Sequence, residues 1–183
     1  MTTTRSLAGR WQFAPDPDGE RAGPDDGAFE DHVRLPGTTD ENRIGEKNEA
    51  REQNHLTRTY PYEGPAWYRR TIRIPDAWAT QRIALSLERS RVTTVWVDGE
   101  RIGESKRLSA PQTFDLTEAL NPGEHVLTIR VDNGADLFDW RGVARSHMAT
   151  EETQTNWNGI LGDIELRAAD PVRVADVQVR TDA

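Results

Sequence analysis

The sequence predicts an all-β protein, a jelly-roll-like β-sandwich. Three observations point to it. No apolar stripe at helical spacing persists along the 183 residues. Short runs rich in β-branched and aromatic residues recur instead, punctuated by Pro, Gly, Asp and Asn. After residue 66 these runs follow one another too closely for parallel crossovers, so hairpins and Greek-key links must join them.

Each strand has its own local reason. Trp11–Phe13 opens the series, and His32–Leu35 ends at Pro36–Gly37. Trp67–Ile74 is stopped by Pro75, which has no N–H for a ladder. In Arg82–Leu87 the residues Ile83, Leu85 and Leu87 share one face. Thr93–Val97 runs into Asp98–Gly99, a two-residue hairpin signal, and Arg101–Ile102 returns from it. Gln112–Asp115 is short, and His125–Val131 aligns Leu127, Ile129 and Val131. Asp163–Leu166 and Val172–Val179 complete the set, with helix confined to single turns at Asp76–Thr80 and Thr117–Leu120. Trp11, Trp67 and Trp96 read as packing residues and Trp78 as a plug. Three stretches lack strand character: Ala14–Asp31, Thr38–Pro65 and Gly134–Thr155. Long loops of this kind in compact domains are usually either functional or disordered. The chain 1–183 reads as a single domain, and its end at Thr181–Ala183, directly after a strand, reads as a domain boundary.

Composition narrows the chemistry. Lys+Arg is 23 and Asp+Glu is 31, a net charge of −8, with no basic patch for nucleic acid. No apolar run approaches the ~20 residues that span a bilayer, so no membrane is expected. The start, Met1 to Phe13, has no apolar signal-peptide core, which suggests a cytoplasmic location. The absence of cysteine removes disulfides, zinc–thiolate sites, iron–sulfur clusters and thiol nucleophiles together. A lysine Schiff base has only Lys47 and Lys106 to draw on.

No catalytic residue is assigned. There is no Gly-x-Ser-x-Gly elbow, and His32, His55 and His125 read as ordinary surface or loop histidines. The adjacent pair Glu151–Glu152 would point opposite ways in extended chain, unlike the facing carboxylates of glycoside hydrolysis. No cofactor is expected; the run Asp16, Asp18, Glu20 leaves room for a structural calcium but lacks EF-hand spacing. The densest constellation is Thr153-Gln154-Thr155-Asn156-Trp157-Asn158-Gly159-Ile160. Amides that reach vicinal hydroxyls and an indole face for axial C–H groups are what a sugar needs. Trp157 in the core, with Asn158–Gly159 as a turn before the next strand, is the structural alternative, and the residues alone leave the two open. Trp140, in Asp139-Trp140-Arg141, is the other candidate platform.

Seven pieces stand in a characteristic order. They begin with Gly9-Arg10-Trp11-Gln12-Phe13, Leu35-Pro36-Gly37-Thr38-Thr39-Asp40 and Gly64-Pro65-Ala66-Trp67-Tyr68-Arg69-Arg70. Val95-Trp96-Val97-Asp98-Gly99, Phe114-Asp115-Leu116-Thr117 and Ile129-Arg130-Val131-Asp132-Asn133 follow, before Asn156-Trp157-Asn158-Gly159-Ile160-Leu161-Gly162. Taken in this order, they resemble the N-terminal sugar-binding domain of glycoside hydrolase family 2, which includes β-galactosidases, β-glucuronidases and β-mannosidases. Each piece is weak; the ordered set is specific and covers essentially the whole chain.

The resemblance implies a galactose-binding-like jelly roll at the front of a glycosidase. Its catalytic glutamates would lie on a separate (β/α)₈ barrel, with an immunoglobulin-like domain between. Such a module does not hydrolyse by itself; its loops supply polar contacts to sugar at the barrel mouth. The matching segment gives Trp140, Arg141, His147, Gln154, Thr155, Asn156, Trp157 and Asn158 as sugar-binding candidates. Thr153 stands where glucuronidase-like members carry an aspartate, so that acid's role does not transfer. The expected partners are carbohydrate and the downstream domains of the same enzyme, with a homo-oligomer left open. The alternatives are a self-standing lectin-like binder and a purely structural or oligomerisation module.

Overall fold

The computed structural model describes residues 2–50, 56–134, 137, 155–174 and 177–181. Among the described residues, eleven strands form two antiparallel sheets. They are β1 (Thr3–Ser6), β2 (Gly9–Pro15), β3 (Asp31–Leu35), β4 (Gly37–Thr38), β5 (Pro65–Ile74) and β6 (Arg82–Ser90). The rest are β7 (Val92–Val97), β8 (Glu100–Ser105), β9 (Gln112–Asp115), β10 (Gly123–Asp132) and β11 (Gly159–Ala169). The larger sheet runs β3-β2-β5-β10-β7-β8; the smaller runs β1-β11-β6-β9, with β4 also paired to β11. Among the described residues no helix is long and apolar enough to cross a membrane.

Alternation builds the core. Phe13, Tyr68, Ile129 and Val95 come from the larger sheet and meet Leu85, Leu87, Ile164 and Leu166 from the smaller, all buried in one cluster. Trp11 and Trp78 join them, Trp78 from a single 3-10 turn at Asp76–Trp78 that plugs the sandwich. The β7–β8 hairpin turns at Asp98 and Gly99, whose φ angles of 49° and 84° are the two positive values this turn requires.

The structure departs from the sequence reading at four places. β1 is fully exposed and carries no apolar alternation, so only its backbone ladder with β11 defines it. β4 is two residues long. β11 is far longer than the expected Asp163–Leu166. A bulge between Leu161 and Ile164 accommodates Gly162 at φ 71°, and Glu88 Oε2 accepts the Asp163 N–H at 2.9 Å. Finally, Val172–Val179 contributes no strand among its described residues. Val172, Val174, Val177 and Val179 are each more than 70% exposed, at 92%, 77%, 72% and 82%, because neither sheet takes up this stretch.

His125 is not the surface residue its sequence context suggests. Its ring is buried, with Nδ1 2.6 Å from Asp98 Oδ2 and Nε2 2.8 Å from the Asn121 carbonyl. Asp98 Oδ1 also accepts the Val126 N–H at 2.7 Å, so the carboxylate ties the hairpin turn to β10. Partial burial opposes ionisation of Asp98, but the Val126 N–H and His125 together hold its carboxyl below the usual aspartate range. Its contribution to stability is therefore full above the unfolded-state value of about 3.9 and fades as pH falls through the folded value. Urea titrations from pH 6 downward should show Asp98→Asn less stable than the parent near neutrality, with the gap closing below about pH 4. A gap that stays constant to pH 2 would contradict this account.

Candidate functional site

Three asparagines organise one end of the sandwich. Asn133 follows β10, while Asn156 and Asn158 lie just ahead of β11. The Asn133 amide donates to Tyr62 O at 2.9 Å and Asn156 O at 2.7 Å, and its oxygen accepts the Gly64 N–H at 3.0 Å. Asn156 returns a bond from its own amide to Asn133 O at 2.8 Å. Asn158 is wholly buried: its amide donates to Gly64 O, Val131 O and Asn133 Oδ1 at 2.9, 3.0 and 3.2 Å, and the Tyr68 hydroxyl donates to its oxygen at 2.9 Å. Burial pushes the Tyr68 phenol well up, which keeps it a donor.

A second knot holds the loop after β2. Asp16 accepts the Trp67 indole N–H at 2.9 Å, and also the backbone N–H groups of Glu20 and Arg21. The Asp16 N–H donates to the Tyr62 hydroxyl at 2.8 Å, and that hydroxyl donates to Pro65 O. Burial raises the Tyr62 phenol, so it too remains protonated. The loop then crosses the outer face of the larger sheet. There the guanidiniums of Arg21 and Arg69 both lie over the Phe29 ring, 4.6 and 4.1 Å from its centroid. Trp67 packs against Trp96 with ring centroids 5.0 Å apart and planes tilted by 33°. This is how Trp67 is buried although it points away from the core. Among the described residues no group of three or more His, Asp or Glu side chains is placed to hold a metal.

Between the two knots lies an open cleft of about 510 Å³, lined by Pro17, Asp18, Glu63, Gly64, Arg130 and Asp132 among others. Arg130 donates to Asp132 at 2.7 Å, and Asp132 also accepts the Gly134 N–H at 2.9 Å. Gly64 sits in its wall at φ 101°, where any side chain would strike the Pro17 carbonyl.

The structure brings together part of the sequence-predicted set. Thr155, Asn156 and Trp157 are half-buried in a non-strand segment beside the Asn133 knot. Asn158, by contrast, has its amide spent inside the protein, so its place is in the frame behind the segment and not on a sugar-facing surface. Trp140, Arg141, His147 and Gln154, with Thr153, lie outside the described residues. Sequence reasoning missed Arg91, whose Nε donates to Trp157 O and Nη2 to Thr155 O, both at 3.0 Å. It also missed the scaffolding role of Asn133, which the Asp132-Asn133 ending of β10 could have signalled.

The architecture and this loop-bearing end define a jelly-roll β-sandwich module with one organised rim. Residues 4–170 match the family described as "Glycosyl hydrolases family 2, sugar binding domain", and the chain belongs to that family. It is 36% identical over 121 residues to a beta-galactosidase of Arthrobacter sp. (strain B7), covering 63% of this chain and 11% of that protein. A beta-galactosidase of Clostridium acetobutylicum is 28% identical over 131 residues, covering 70% of this chain and 13% of its own length. Among solved structures, a beta-glucuronidase of Faecalibacterium prausnitzii superposes with a TM-score of 0.67 at 20% identity, over 93% of this chain and 32% of that one. A beta-glucuronidase of Dictyoglomus thermophilum does so at 0.64 and 18%, over 96% and 29%. The chain thus spans a small fraction of the length of its curated relatives.

Proposed function

We propose that this domain serves a family 2 glycosidase by presenting residues 154–157 to the sugar in a composite active site, with the catalytic carboxylates supplied by another domain of the same enzyme. Carbohydrate and those further domains are then its partners. One observation carries the reading. The half-buried segment Thr155–Trp157 and the cleft are tied to one framework: Gly64 lines the cleft and is bonded by Asn158 and by Asn133, and Asn133 also bonds Asn156. Hydroxyl and indole groups are therefore anchored to the same frame that walls an accessible concavity. Such preorganisation is what a weak monosaccharide contact requires, since a few hydrogen bonds and one stacking face must offset the cost of immobilising the ligand.

In the glycosidase that carries this domain, Gln154→Ala and Thr155→Val should each lower kcat/KM for an aryl β-galactoside about tenfold, a loss of ~1.4 kcal/mol of transition-state stabilisation. The thermal midpoint should hold. An unchanged kcat/KM in both variants would overturn the assignment of this segment to the sugar.

A further inference from the structure

We propose that Arg91 is the positioning residue of the 155–157 segment, its guanidinium holding the Trp157 indole from one ring face so that the other face is presented to sugar. The inference builds on the reading that this segment faces the sugar. It rests on geometry that reading does not use.

Arg91 is the single residue between β6 and β7, and it is only 5% exposed. Two of its donors reach carbonyls two residues apart, Trp157 O and Thr155 O, while its guanidinium carbon stands 4.5 Å from the Trp157 ring centroid. One side chain therefore fixes both the backbone turn, closed by the Trp157 N–H to Thr155 O bond at 2.9 Å, and the plane of the indole. A planar, forked cation can do this; an ammonium offers neither the fork nor the stacking plane.

The residue is itself immobilised from behind. The Arg91 carbonyl accepts from Gln112 Nε2 at 2.8 Å and from Thr93 Oγ1 at 3.1 Å. Gln112 is wholly buried and also donates to Arg107 O at 2.9 Å. Ser90 Oγ donates to Gly159 O at 3.0 Å, which locks the other end of the same segment. The segment 155–158 forms no strand, so its shape depends on these side-chain bonds: the asparagine knot on one flank and Arg91 on the other.

The test uses the full chain with ¹⁵N-labelled tryptophan. Six indole resonances are present in principle, and Trp157→Phe identifies the relevant one. Two readouts are taken for the parent, Arg91→Lys and Arg91→Gln: indole order without sugar in this chain, and kcat/KM for an aryl β-galactoside in the glycosidase that carries the domain. In both Arg91 variants the Trp157 indole should become mobile on the nanosecond scale, and kcat/KM should fall about tenfold. A Trp157 indole that stays as ordered as in the parent overturns the proposal. So does the failure of both variants to fold, which would make Arg91 a residue of the core. If Gln154→Ala and Thr155→Val both leave kcat/KM unchanged, the sugar-facing reading fails, and with it the proposal. If those variants lower kcat/KM while both Arg91 variants keep it, only the positioning role fails.

Discussion

Asn158→Ala should destabilise the domain by about 4 kcal/mol, among the largest effects a single side-chain truncation here can have. The substitution leaves the Gly64, Val131 and Tyr68 polar groups buried without the partner they have now. Each orphaned group costs roughly 1–3 kcal/mol, more than the bond itself was worth. For a chain of this length the loss corresponds to about 8–16 °C in Tm. Asn158→Asp should be no milder, because an aspartate replaces the amide's two N–H donors with an oxygen that faces three acceptors. Calorimetry on both variants settles the matter; a fall of less than about 1 kcal/mol in either would show that water repairs the site.

Gly159→Ala is the second large effect, and it acts through the backbone. Gly159 sits at φ 132°, and a Cβ there would run into the Gly37 carbonyl and come within 2.9 Å of Thr38 Cα. Neither atom belongs to a flexible side chain, so β4 must part from β11. The Thr39 N–H to Asn158 O bond, 2.9 Å long, would go with it. The expected cost is about 3–5 kcal/mol. Gly103→Ala is the matched control: its φ is not positive and its nearest neighbour is Phe114 Cδ1 at 3.8 Å, so it should stay within about 0.5 kcal/mol of the parent. Equal effects from both substitutions in chemical denaturation would refute the steric account.

These two positions also show what the sequence could and could not disclose. The strands with clean apolar alternation, such as Arg82–Leu87 and His125–Val131, were legible because one face of each packs on the core. The full span of β11 was not, since Gly159, Gly162 and Asp163 carry turn chemistry and only a bulge reconciles them with a strand. β1 was invisible for the opposite reason, having no buried face at all. In Val172–Val179 the pattern was present and, among its described residues, the strand was not, because alternation records a capacity to pair and not the presence of a partner.

At the candidate site, the sequence located the Thr155–Trp157 segment but could not divide ligand-facing residues from framework. Asn156 and Asn158 look alike in sequence, yet one is half-buried and the other fully enclosed. Asn133, more than twenty positions earlier, binds both, and Arg91 lies farther still along the chain. Such juxtapositions arise from topology, and no local pattern announces them.

The position of β11 also governs how the chain can reach its native state. This strand pairs with β1, β4 and β6, so three elements of the smaller sheet wait on residues 159–169. A nascent chain cut off before that point can assemble the larger sheet from β2, β3, β5, β7, β8 and β10, but has only the β6–β9 pair to cover its apolar side. Closure must follow synthesis of β11 instead of proceeding from the N-terminus onward, and it joins partners more than 150 positions apart, as in Thr3 with Ala168. Slow, late folding is what such long-range pairing brings, and with it a period in which the apolar face of the half-built sandwich is open to aggregation.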